Sequence, residues 1–198
     1  MEHENARNGI GKVFAAEIIQ IISVACMLLA FIPKTGLAMG TSISGILMII
    51  SFILMLVGLN KAGKDNARLK KAFICFVVTV IISLLLAVLS SVAKATWVSQ
   101  MGQIITAIIS LIATYNVLMG CAELNTNLAK KAQSTWKLYV TVVIIDIVLT
   151  VVGITLGVMG MTDMSLALTI AWVVLDMILD LITYIKYLGF LNTARQEL

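Results

Sequence analysis

Residues 65–93 read "DNARLKKAFICFVVTVIISLLLAVLSSVA". Arg68, Lys70 and Lys71 stand at its start, and from Ala72 to Ala93 no side chain carries a charge. Such a run reaches the ~20 residues that a helix needs to cross ~30 Å of hydrocarbon. It shows no period-two alternation and is too long for a barrel strand, so in lipid only a helix satisfies its backbone.

Similar runs fill the chain, at about Val13 to Ile32, Thr41 to Leu59, Met101 to Gly120, Leu138 to Gly160 and Ser165 to Gly189. With 61% hydrophobic residues, 12% charged and a single proline in 198 positions, a soluble domain is excluded, because such domains hold roughly 45–50% apolar residues. The expected fold is all-α: a polytopic membrane protein of six transmembrane helices in a single domain, residues 1–198. Twelve of the 14 basic residues fall before span one, between spans two and three, between four and five, or after six; Lys34 and Lys94 are the exceptions. The positive-inside rule then puts both termini in the cytoplasm. The basic residues hug span ends, so the net charge of +4 reflects topology, and nucleic acid is not an expected partner.

The opening stretch has an echo. "ENARNGIGKVF" begins at Glu4, and Asn5-Ala6-Arg7 returns as Asn66-Ala67-Arg68. Lysine followed two places later by an aromatic recurs at Lys12/Phe14, Lys71/Phe73 and Lys137/Tyr139, each before a β-branched run. Even-numbered spans close on Gly58, Gly120 and Gly189, followed by Leu59-Asn60, Leu124-Asn125 and Leu191-Asn192, and the tail restarts the unit with Asn192-Thr193-Ala194-Arg195. These coincidences point to three pseudo-repeated helical hairpins, about 12–60, 71–125 and 137–192, arranged as parallel repeats. Generic interfacial anchoring is the blander account of the lysine-aromatic starts.

The chain resembles the HdeD type of bacterial inner-membrane protein, which has three transmembrane hairpins in about this length. The likeness is closest in "STWKLYVTVVIIDIVLTVVG", Ser134 to Gly153, where a loop tryptophan precedes a fifth span carrying Asp146-Ile147-Val148. Unlike that family's habit, spans one and three have no glycine in their cores. The resemblance implies a multi-pass protein of the bacterial inner membrane linked to acid or envelope stress, with no chemistry to carry onto residues.

Small residues four apart mark faces where helices approach closely in lipid. Cys75, Thr79, Ser83, Ala87 and Ser91 form one such line, and Gly102, Thr106, Ser110 and Thr114 another, so spans three and four are expected to pack along their length. Gly153 and Gly157 add a weaker signal on span five. The hydroxyls either line a polar path or bond back to their own helices. Cys26 and Cys75 read as small apolar fillers, and no cysteine pairing or metal spacing is present.

Carboxylates within the spans carry the most functional information. Trp172, Asp176, Asp180 and Tyr184 recur every four residues and share one face of span six. Asp176 lies ~16 Å and Asp180 ~22 Å from the outer start of that helix, Asp146 ~12 Å and Glu17 ~6 Å from the cytoplasmic ends of theirs. Gln20, Tyr115 and Asn116 fall at comparable depth. An ionised Asp at the bilayer centre costs ~3 kcal/mol, so Asp146 and Asp176 are expected to face the bundle. Grouped acids favour sharing a proton or holding a cation, which makes these residues candidates for a cation, proton or ligand site of unspecified metal. The structural alternative sends Glu17 and Asp180 to the inner interface and hydrogen-bonds the other two within the core.

Enzymatic chemistry has little support. The one histidine, His3, stands in a tail expected to be disordered, and no nucleophile-base pair, phosphate loop or metal-protease motif is present. No cofactor is expected. Three functional classes compete: an accessory or structural membrane protein, self-associating or bound to another membrane protein; a proton- or cation-linked small-solute transporter using the carboxylates; and a substrate-binding subunit of a vitamin importer.

Overall fold

A computed structural model describes residues 3–27, 36–93, 96–159 and 162–198; within its helices the side-chain surroundings of 27, 36–39, 87, 90–93, 96–101, 103–104, 146, 150–151, 153–154, 156–158, 162–170 and 172–174 are not described. The described residues form six α-helices: α1 Glu4–Met27, α2 Gly36–Ala62, α3 Ala67–Ala93, α4 Thr96–Leu124, α5 Ala129–Val158 and α6 Thr162–Glu197, with a 3-10 turn, Thr126–Leu128, between α4 and α5. No strand is present among the described residues.

Five stretches among the described residues are long and apolar enough to cross a membrane: Glu4–Cys26, Gly40–Ala62, Ala67–Leu86, Ile105–Leu124 and Thr126–Leu149. The expected sixth span, on α6, includes residues whose side chains are not described. The surface has the character such spans require. Ile46, Ile49, Leu84 and Val88 in one part of the chain and Met177, Leu181 and Ile185 in another are all exposed, Met177 at 68%. Exposed apolar surface of this kind, in each unit, is unfavourable in water and at home against acyl chains.

Contacts group the chain into two compact units, Met1–Ala129 with Leu191–Leu198, and Lys130–Phe190. In the first, α1 and α2 run antiparallel with their backbones almost touching. A Cβ on Gly9 would lie 2.5 Å from the Gly58 carbonyl oxygen and 2.6 Å from the Ala62 nitrogen, and one on Gly58 would lie 2.7 Å from the Gly9 carbonyl oxygen. Ser44, Ser51 and Gly58 bring small residues to this seam every seven positions of α2, facing the buried Ala6, Ile10, Val13, Ala16 and Ser23 of α1. Hydrogen bonds cross between the helices: Ser51 Oγ donates to the Ala16 carbonyl at 2.9 Å, and the Ser23 hydroxyl donates to the Ser44 carbonyl at 3.0 Å with its oxygen 2.8 Å from that of Ser44. Interhelical bonds in lipid contribute modestly, so Ser51→Ala is expected to cost about 0.6 kcal/mol, read as a small fall in the detergent melting midpoint. A loss above about 2 kcal/mol would show that the seam depends on it more than this geometry explains.

α3 packs on α4, as the small-residue stripes predict, and touches α2 through Phe52 and Phe76, whose ring centroids are 5.6 Å apart. Along the stripes the close approach is incomplete. Ser83 and Ser110 are exposed, while the Thr79 and Thr106 hydroxyls donate to the carbonyls one turn back, Cys75 at 3.0 Å and Gly102 at 2.9 Å. The tightest described seam is α1/α2, where carbonyl and amide groups themselves meet. Gly153 and Gly157 lie outside the residues whose surroundings are described.

In the second unit, α5 and α6 are joined by Lys186, whose Nζ donates to Ser134 Oγ at 2.8 Å and to the Ser134 carbonyl at 3.3 Å. Thr135, Val142, Thr183 and Tyr187 are buried. Gly189, which the sequence sets in register with Gly58 and Gly120, has nothing within 4 Å of where a Cβ would sit.

Candidate functional site

Eight of the side chains that the sequence singles out are candidate site residues, and the structure treats them differently. Glu17 is 9% exposed on α1, and Asn116 is 7% exposed on α4, where its Nδ2 donates to the Ile112 carbonyl of its own helix at 2.8 Å. Gln20, one turn beyond Glu17, is exposed. Asp176 and Tyr184 are half-buried and Asp180 is exposed. The side chains of Asp146 and Trp172 lie outside the described residues. Asp176, Asp180 and Tyr184 keep the four-residue spacing of one face of α6 in the second unit, whereas Glu17 and Asn116 belong to the first. Among the described residues no three His, Cys, Asp or Glu side chains come close enough to hold a metal ion.

One group near the acidic face has an unmet need. The Thr183 hydroxyl is buried and lacks a hydrogen-bond partner among the described residues. A neutral hydroxyl left in this state costs stability, and it sits one turn from Asp180 on α6.

The best-defined polar constructions lie at one end of the first unit, where the Asn-Ala-Arg triplets stand. Asp65, in the short α2–α3 turn, reaches back to the first turn of α1: Asn5 Nδ2 donates to its Oδ1 at 2.9 Å and the Ala6 backbone N–H to its Oδ2 at 2.7 Å. The early amides of a helix have no intrahelical acceptor, so a carboxylate here satisfies one of them and meets the positive end of the helix dipole. Partial desolvation, the largest single influence on Asp65, works to raise its pKa. The Asn5 amide, the Ala6 and Asn5 backbone N–H groups and the charge of His3 outweigh it, and the carboxyl titrates below its ordinary value.

The second triplet is used another way. Asn66 is the N-cap of α3, its Oδ1 accepting from the Arg68 and Leu69 amides at 2.7 and 3.3 Å. Its Nδ2 donates to Glu123 at the end of α4 at 3.1 Å, and Arg68 pairs with the same carboxylate through Nε while lying over the Tyr115 ring, 5.7 Å from its centroid. In both cases a carboxylate from the end of a hairpin grips the Asn at its beginning. Asn125 caps the 3-10 turn through the Asn127 amide at 3.0 Å and donates to the Glu197 carbonyl at 3.1 Å. Arg195 donates to Asn192 Oδ1 at 2.9 Å and lies over the Phe14 ring at 4.2 Å. The tail 191–198 is thereby fastened within the first unit.

Sequence reasoning notes the triplets and misses their partners. Asp65 and Glu123 are separated from Asn5 and Arg68 by more than fifty positions, beyond any local pattern. His3, expected in a disordered tail, instead accepts the Arg7 amide on its carbonyl at 3.0 Å at the start of α1. No protein-family model, curated protein or solved structure matches this chain.

Proposed function

We propose that the chain is an accessory or structural membrane protein of the HdeD type, three helical hairpins in a bacterial inner membrane with both termini cytoplasmic, acting through contacts with a second copy or another membrane protein. One observation carries this reading: at three places in the first unit, polar side chains join separate helices to one another. Ser23, Ser44 and Ser51 bridge α1 and α2, Asp65 and Glu123 close hairpin bases, and Asn125 with Arg195 secures the tail. The recurrence of a carboxylate on each of the first two Asn-Ala-Arg triplets supports the repeat.

The test combines assembly and transport. Purified in detergent, the chain is expected to run as an oligomer or retain a membrane-protein partner. In proteoliposomes the double change Asp146→Asn and Asp176→Asn is expected to leave proton and cation flux at the level of empty vesicles, as for the parent chain. Flux in the parent that the double variant abolishes would replace this reading with the transporter; a copurifying vitamin with an ATPase subunit would replace it with the importer. Single cysteines at positions 3 and 197 that label from the periplasmic side would refute the orientation.

A further inference from the structure

We propose that Lys61, Lys64 and Lys70, on the α2–α3 turn, bind the phosphate of an anionic phospholipid headgroup. The turn is tight. A Cβ on Gly63 would lie 2.9 Å from the Lys70 Cα, so the backbone that carries Lys64 is pressed against the first turns of α3 that carry Lys70. Lys61 lies in the last turn of α2, three residues before Lys64, whose amide donates to the Lys61 carbonyl at 3.2 Å. Lys64 and Lys70 are exposed and Lys61 is half-buried.

Lysine charges carried on backbone segments brought this close repel one another, an anion offsets that repulsion, and the nearby carboxylates are already engaged. Asp65 is turned onto Asn5 and Ala6, and Glu123 takes Asn66 and Arg68 and has Lys71 beside it. No carboxylate pairs with Lys61, Lys64 or Lys70 among the described residues. Depth decides which anion. One apolar span ends at Ala62 and the next begins at Ala67, so the turn lies at the level where headgroups sit, and a lipid phosphate is the anion present there at high local concentration. Lysine at this depth habitually lays its stem along apolar surface and keeps its charge at the interface.

The inference rests on α2 and α3 lying in a bilayer, and its test separates the two. The full chain, delipidated in detergent, is titrated with phosphatidylglycerol or phosphatidylcholine and followed by native mass spectrometry. The triple variant Lys61→Gln, Lys64→Gln, Lys70→Gln is expected to lose about tenfold in apparent affinity for phosphatidylglycerol. Lys130→Gln, Lys131→Gln, Lys137→Gln, matched in charge, is expected to change it by less than about twofold. In the parent chain, a diazirine-bearing phosphatidylglycerol is expected to cross-link within 61–70. Equal affinity in the first variant, equal loss in both, cross-links confined to other segments, or displacement of the lipid by inorganic phosphate at the same concentration would each overturn the proposal. A chain that stays soluble without detergent would overturn the membrane reading instead.

Discussion

Gly58→Val is expected to lower stability by about 3 kcal/mol or more. The reason is the material on the far side of the seam. A side chain at position 58 meets the Gly9 carbonyl oxygen at 2.7 Å and the Val13 backbone nitrogen at 3.0 Å, and neither can swing aside. Relief requires α1 and α2 to part, which also stretches the Ser51–Ala16 and Ser23–Ser44 bonds. Gly9→Val should act equally, and the double variant should cost much less than twice as much, because the first substitution has already opened the seam. Gly102→Ala is the control: its neighbour is the flexible end of Leu86, which can rotate away. Melting in detergent provides the measurement; a Gly58→Val midpoint within about 2 °C of the parent would mean that the helices do not approach this closely.

Asp65→Ala is the second large effect, about 1–2 kcal/mol, because it deprives α1 of a charged acceptor at its first turn. The loss should be local in its first symptom. Hydrogen exchange at Ala6 should accelerate well before the amides of the α1/α2 seam do, since those keep their intrahelical partners. The sign of the pH dependence follows from the lowered folded-state pKa. The stability that Asp65 contributes is complete above its ordinary value of 3.8 and disappears as pH falls through the lower folded value. The parent and Asp65→Ala should therefore converge in stability in acid. A constant gap between them down to about pH 2 would show that the carboxylate is not the source of the effect.

What could be read from the chain divides by range. Apolar runs as long as 72–93 declare helices for a membrane because every backbone group must bond within its own segment. The start of α1 at Glu4 could not be read in this way. Asn8, Gly9 and Gly11 are poor helix formers, and the turn is held by Asp65 from the far end of the hairpin. Spacing by four drew attention to α3 and α4, whereas the small residues of the tightest seam recur by seven, at Ser44, Ser51 and Gly58. That period was available in the sequence and is the signal that would have found the seam. Of the candidate carboxylates, Glu17 is buried, Asp176 is half-buried and Asp180 is exposed. Helical phase gives the side on which a residue projects, and only the neighbouring helices decide whether anything covers it.

The tail closes a loop of a different kind. Because Arg195 and Glu197 rest on Phe14 and Asn125, the unit that starts with the first helix regains the chain only at the end of α6, after residues 130–190 have intervened. A ribosome emitting this protein must therefore deliver the last helix before the first has all its neighbours. Until then the ring of Phe14 lacks the guanidinium that comes to lie over it.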